Sequence, residues 1–173
     1  MRKYIISSAF IFSMITVEAR ILKNDMLIKV DDDEYIALPC GWNLRGTIAT
    51  IKRLFTLKYE VYDKDKKNRL SVVSYDDIHD SIIIYQGETK ISTKSRGFKP
   101  SILEYMNEKY EVHEKMTGLI YITKDGEIVA TGICGFKTVK FAKYESKLTA
   151  LLRDLAVGYC IKILTLKMFT GGL

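Results

Sequence analysis

Cys134 and His113 are the pairing in this sequence that could support covalent chemistry, because a thiol nucleophile needs a base within reach. Cys134 lies in Gly132-Ile133-Cys134-Gly135, an apolar run in which a thiol packs as a small hydrophobe, and packing is the stronger reading. The other histidine, His79, sits between Asp77 and Asp80, and His113 lies between Glu111 and Glu114. Neither stands in a HExxH or paired metal spacing, so both read as surface residues.

The acidic runs are weaker still as metal sites. Asp63-Lys64-Asp65-Lys66-Lys67-Asn68 starts like a calcium loop, yet Lys67 falls at a ligand position, Asn68 at the turn glycine and Ser74 at the terminal glutamate. It reads as a solvated turn. The side chains of Asp31-Asp32-Asp33-Glu34 alternate in direction and do not converge on one ion, so that run reads as a wet loop. No metal and no cofactor is expected.

Cations offer the more specific chemistry. One cluster holds Lys90, Lys94, Arg96 and Lys99; a second holds Lys137, Lys140, Lys143 and Lys147. A cluster of this kind is most often a solvated face. In the first, however, Lys94-Ser95-Arg96-Gly97-Phe98-Lys99-Pro100 places cations, a hydroxyl and an aromatic on one loop, a combination suited to a lipid headgroup and the edge of its acyl chains. Lys94, Arg96, Lys99, Lys137 and Lys140 are therefore the candidate anion-binding residues. Nucleic acid is not expected, since no recognition module or regular aromatic interleaving accompanies them.

The elements that must position these residues are mostly strands. A chain of 173 residues fits one domain, residues 1–173, with a core large enough to need no disulfide or metal. Up to about residue 145 it is a series of short β-forming runs separated by polar turns, with candidate strands beginning near Tyr4, Met14, Ile21, Tyr35, Thr47, Leu57, Leu70, Ser81, Thr89, Glu111, Leu119, Ile128 and Val139. Met26-Leu27-Ile28-Lys29-Val30 is a further strand-like run after the turn at Lys23-Asn24-Asp25. The clearest hairpin is Leu119–Thr123 and Ile128–Ala130 around Asp125-Gly126, a pair suited to the positive φ angles of a type I′ turn. Ser101–Glu108, after Pro100, has a short helical pattern.

The segment from Ser146 to about Phe169 is the main helix. At about 100° per residue, Lys147, Asp154, Gly158, Lys162 and Thr165 form a narrow stripe. Leu148, Leu152, Leu155, Ala156, Val157, Tyr159, Ile163, Leu164 and Leu166 cover most of the rest. Such a helix must be enclosed, and a barrel of about eight strands is already filled by its own side chains. The expected fold is mainly β: a closed antiparallel barrel of about twelve strands around a central C-terminal helix.

This arrangement resembles the tubby C-terminal-like superfamily, which includes the plant LURP-one-related proteins, the phospholipid scramblases and small Bacillus proteins. The resemblance is carried by Lys3–Ile11, Gly46–Arg53, Lys58–Asp63 and the helix segment Leu152–Gly158, and it spans most of the chain diffusely. Ala9 stands where those proteins have a proline, and the loop after Asp63 lacks their glycine. The resemblance implies a twelve-stranded barrel around a helix and, for some members, phosphoinositide binding, but it carries no ligand residue over position by position.

The expected function is a non-enzymatic binding module that recognises an anionic phospholipid or a protein partner at a membrane surface. Its expected setting is cytoplasmic, because three cysteines are an odd number without CxxC spacing and suit a reducing compartment. The alternative is a secreted or envelope protein, since Met1-Arg2-Lys3, the apolar run to Val17 and Val17-Glu18-Ala19 imitate a signal peptide. The hydroxyls and β-formers in Tyr4–Phe12 favour strands instead. A thiol enzyme using Cys134 is the third class.

Overall fold

The computed structural model describes residues 25–44, 55–134, 138–143 and 145–170. The strands expected near Tyr4, Met14, Ile21 and Thr47, and the choice between leader and strand for residues 1–19, lie outside the described residues.

Among the described residues, twelve strands form one sheet. In chain order they are β1 Met26–Val30, β2 Asp33–Leu44, β3 Phe55–Asp63, β4 Arg69–Asp76, β5 Ser81–Gln86 and β6 Thr89–Ser92, then β7 Lys94–Arg96, β8 Lys99–Tyr105, β9 Glu108–Glu114, β10 Leu119–Lys124, β11 Glu127–Cys134 and β12 Thr138–Lys143. A 3-10 turn, Ser146–Leu148, leads into the helix α1, Thr149–Thr170. The lateral order runs from β6 through β5, β4, β3, β2 and β1 to β12, and on through β11, β10, β9 and β8 to β7. Its two edges are neighbours in sequence and meet at Thr93, whose amide donates to the Ile82 carbonyl (3.0 Å) and whose hydroxyl accepts from the Ile82 amide (2.9 Å). The sheet is thus a nearly closed barrel. One pair departs from the antiparallel expectation: β1 and β12 run parallel, Leu27 opposite Thr138 and Val30 opposite Phe141. A parallel pair needs a long connection, and here the rest of the barrel supplies it.

Turn chemistry explains much of the register. Asp125 and Gly126 take φ of 52° and 85°, closing β10 and β11 as expected. Met106 and Asn107 do the same for β8 and β9. The segment read as helical, Ser101–Glu108, is therefore the end of β8, that turn and the first residue of β9. Leu103 and Tyr105 face inward with Glu104 between them, so the alternation of two wins over a helical period too short to nucleate. A bulge puts Cys40 out of register between Pro39, opposite Tyr59, and Gly41, opposite Lys58. Cys40 is exposed as a result, not packed among apolar residues.

The barrel is filled by α1, about 33 Å long at about 1.5 Å per residue. Leu151, Leu152, Leu155, Ala156, Val157, Cys160 and Ile161 are wholly buried. Wall residues Ile28, Val30, Tyr59, Val61, Val73, Ile84, Tyr110 and Ile122 face them. Each fully buried Leu or Ile contributes about 1.5 to 3 kcal/mol, which makes the helix the organising element of the core.

Even the polar stripe of α1 is covered. Asp154 is completely buried; it accepts from Ser71 Oγ of β4 (2.6 Å), Gln86 Nε2 of β5 (2.7 Å) and the Arg153 guanidinium (2.8 and 3.0 Å). The Arg153 guanidinium lies 5.4 Å above the Tyr35 ring. One turn further on, Gly158 meets Ile82 of β5 so closely that a Cβ would fall 2.3 Å from Ile82 Cγ2.

Candidate functional site

The barrel has two unlike rims. The far rim, where α1 begins, is braced by ion pairs: Glu108 accepts from Lys124 (2.8 Å), Lys147 (2.7 Å) and the Tyr110 hydroxyl (2.5 Å). Those bonds hold the Glu108 carboxyl down at about 2. The near rim, where α1 ends, collects the turns between β4 and β5, β7 and β8, and β9 and β10. A cavity of about 350 Å³ opens there, lined by residues from all three turns and by Tyr159 and Lys162 of α1.

Lys162 organises the floor of this cavity. Its ammonium bonds Glu114 Oε2 (2.8 Å) and Asp80 Oδ1 (3.0 Å). Burial works against that charge, but the two carboxylates outweigh it and hold the Lys162 ammonium above its ordinary range. Asp80 also accepts from the Tyr75 hydroxyl (2.8 Å) and from Ser95 Oγ (3.4 Å). Burial pushes the Asp80 carboxyl up, yet Lys162, Tyr75 and Ser95 together bring it below its usual value. Lys162 is thus neutralised by its neighbours and is a strut, not a free cation.

The hairpin of β7 and β8 carries the first predicted cluster. Alternation points Ser95 towards Asp80 and leaves Lys94 and Arg96 on the outer face. Arg96 is committed to the hairpin, donating Nε to the Pro100 carbonyl (2.9 Å) and Nη2 to Glu111 Oε1 (2.9 Å). Lys94 and Lys99 are exposed and have no carboxylate partner among the described residues, and Lys99 lines the cavity. Gly97 takes φ 69° at the tip, which puts Phe98 wholly in solvent.

The structure separates the second cluster from the first. Lys140 is exposed on β12 beside a shallow groove with Leu119, Ile133 and Asp31. Lys143 bonds Thr149 Oγ1 (2.5 Å) near Asp31, and Lys147 pairs with Glu108, both towards the far rim. Lys137 lies outside the described residues.

Sequence reasoning missed two parts of this rim. Met116, at the turn between β9 and β10, is as exposed as Phe98, and Ile78 at the turn between β4 and β5 is half-exposed; a single apolar residue in a polar turn was the available signal. His113, read as a surface residue, is mostly covered. Its ring stacks on Tyr121 at 4.3 Å, and Nε2 is 3.0 Å from Thr123 Oγ1. Cross-strand pairing of His113 with Tyr121 produces this contact. Cys134 is half-buried at the end of β11 and packs against the core cluster. His79 is exposed and bonds Asp76 (2.9 Å), while Asp63 caps its own turn by accepting from the amides of Lys67 (2.8 Å) and Asn68 (3.2 Å).

These features define a helix-filled, nearly closed β-barrel with one apolar, cation-flanked rim. Against family models, curated proteins and solved structures the chain gives no significant match. Among the described residues no helix is long and apolar enough to cross a membrane.

Proposed function

We propose that the protein is a non-enzymatic binding module that docks its near rim on an anionic membrane surface. The carrying observation is that Phe98 and Met116, fully exposed at the tips of adjacent turns, are flanked by Lys94, Lys99 and Lys115. Exposed aromatic and methionine side chains enter the headgroup region, and neighbouring lysines add about 1 kcal/mol each against anionic lipid. Ile78, Ile133 and Leu166 widen the apolar rim. The far rim offers the ion pairs of Glu108 instead. The reading agrees in kind with the lipid chemistry that the tubby C-terminal-like resemblance implies, and membership of that superfamily is part of the proposal.

Flotation with phosphatidylcholine vesicles, with and without phosphatidylglycerol, tests it. The chain should float with the anionic vesicles at low salt and be released as salt rises. F98S/M116S should abolish binding, and K94E/K99E should weaken it by at least about tenfold. Absence of binding at low salt, or binding indifferent to both variants, would overturn the proposal and leave a protein partner as the occupant of the rim.

A further inference from the structure

The near-rim cavity is small. At about 350 Å³ it lies at the lower end of the range for ligand pockets, roughly 300 to 1,000 Å³, so it takes a headgroup and leaves acyl chains outside. Its floor holds an unpartnered hydroxyl. Tyr159 of α1 lines the cavity and is only 4% exposed, yet its hydroxyl makes no hydrogen bond among the described residues. Such a group costs stability unless something that enters the cavity bonds it. Ser101, which also lines the cavity, alternates with buried Leu103 on the inward face of β8, and its hydroxyl is unpaired as well.

Charge in the cavity is sorted by depth. On the floor the Lys162 ammonium stands between two carboxylates, which leaves a net negative charge there. Each carboxylate also keeps one oxygen open. Asp80 gives Oδ1 to Lys162 and Tyr75, while its Oδ2 takes only the long 3.4 Å contact from Ser95. Glu114 gives Oε2 to Lys162, and its Oε1 has no donor among the described residues. Both side chains line the cavity and are partly exposed. The mouth has the opposite sign: Lys99 and Lys115 are exposed there and have no carboxylate partner among the described residues. A bare anion would meet the two carboxylates; a cation alone would meet the two lysines.

We propose that this cavity binds a phosphoethanolamine group, its ammonium on the floor between Asp80, Glu114 and Tyr159 and its phosphate at the mouth against Lys99 and Ser101. An ammonium carries three N–H donors, and the floor offers three acceptors: Asp80 Oδ2, Glu114 Oε1 and the Tyr159 hydroxyl oxygen. Tyr159 stands three residues before Lys162 on one face of α1, beside the carboxylates that Lys162 holds. Lys99 and Ser101 share one face of β8, so a cation and a hydroxyl meet the phosphate together. A choline group has methyls in place of N–H donors and leaves all three acceptors unanswered. A serine group would bring a further carboxylate to Asp80 and Glu114. Where the group is a lipid head the inference rests on the membrane reading, with the acyl chains outside beside Phe98; the same group on soluble glycerophosphoethanolamine needs no membrane.

Titration of the full chain with glycerophosphoethanolamine, followed by amide NMR shifts, tests the cavity without a membrane. The Ser101 and Tyr159 amides should shift saturably, with a dissociation constant at least about tenfold below that for glycerophosphocholine. Tyr159→Phe and Glu114→Gln should each weaken binding by at least about threefold. Flotation then separates the two sources of the group. At fixed phosphatidylglycerol, replacing phosphatidylcholine by phosphatidylethanolamine should strengthen vesicle binding of the wild type but not of E114Q; an equal gain in both would overturn the lipid source. Equal binding of the two glycerophospho compounds, no saturable binding, or binding indifferent to both variants overturns the inference, and flotation on phosphatidylglycerol still decides the membrane reading separately. Saturable glycerophosphoethanolamine binding without flotation on any vesicle would overturn the membrane reading and leave the cavity as a site for the soluble group. Should the variants fail to fold, the wild-type comparison of the ethanolamine and choline compounds decides alone.

Discussion

Ser71 on β4 donates its hydroxyl to the carboxylate of Asp154 on α1 at 2.6 Å, and both residues are buried. Gln86 and Arg153 supply the remaining donors, so the buried charge has a donor on each side that packs against it. The contact fixes both the rotation of the helix and its height against β4 and β5. A smoothly apolar helix could slide or turn in such an enclosure; this one has a single position at which its carboxylate is satisfied.

Removing that carboxylate strands a buried guanidinium. Asp154→Ala should therefore cost about 3 to 5 kcal/mol, read as a lower urea midpoint at unchanged slope. The double variant R153M/D154A should lose less than D154A alone, because no unpaired charge remains inside. Additive losses in this cycle would show that the two residues are not energetically coupled.

Acid should act first on the far rim. Lys124, Lys147 and the Tyr110 hydroxyl hold Glu108 down at about 2 in the folded chain, against an ordinary value of 4.5. A carboxylate depressed on folding adds stability that is fully present above its unfolded value and is lost as pH falls through the folded one. The contribution of Glu108 should be present at neutral pH and fade between 4.5 and about 2. Glu108→Gln should be less stable than wild type at pH 7, with the gap closing towards pH 2 and narrowing at high salt, in denaturant titrations at fixed pH. A gap independent of pH would mean that the ion pairs contribute nothing through charge.

Alkali should act on the tyrosines. Burial, then the bond to Glu108, pushes the Tyr110 hydroxyl up to about 12, and burial raises Tyr59, Tyr75 and Tyr159 as well. A group raised on folding stabilises fully below its unfolded value, 10.0 here, and loses that contribution as pH climbs through the folded one. A spectroscopic titration of tyrosinate should show an early set of exposed rings and a late set that ionises together with loss of near-ultraviolet circular dichroism. Ionisation of all tyrosines in one step near 10, with the fold intact, would contradict this burial.

Much of this architecture was legible in the residues. Leu152, Leu155, Ala156 and Val157 leave the helix only a narrow polar stripe, and that demands an enclosure; Asp125-Gly126 announces its hairpin. What stayed hidden depends on residues distant in the chain. Nothing near Asp154 says that Ser71 and Gln86 will meet it. Ser101–Glu108 misled because Ile102, Leu103, Tyr105 and Met106 fit a short helix and a strand with its turn equally well, and pairing with β9 decides between them. At the rim, Lys94, Lys99 and Phe98 were legible as one loop, but Met116 joins them only through the closure of the sheet.

Gly158 offers the sharpest check on how closely helix and wall approach. It lies on the same stripe as Asp154, one turn along, where the carboxylate network has already drawn α1 against β4 and β5. A Cβ at this position would meet Ile82 Cγ2 at 2.3 Å and Cγ1 and Cδ1 at 3.0 Å, which no rotamer of a well-packed core accommodates without movement. Gly158→Ala would gain roughly 1 kcal/mol of helix propensity, yet overpacking of this kind costs about 1 to 3 kcal/mol. The clash should win, and G158A should melt below wild type. Trimming the opposing side chain decides the cause: Ile82→Ala alone leaves a cavity and destabilises, but I82A/G158A should recover most of that loss because the new methyl fills the space. If G158A is more stable than wild type, or if the double variant is no better than I82A, the helix stands further from β5 than this packing requires.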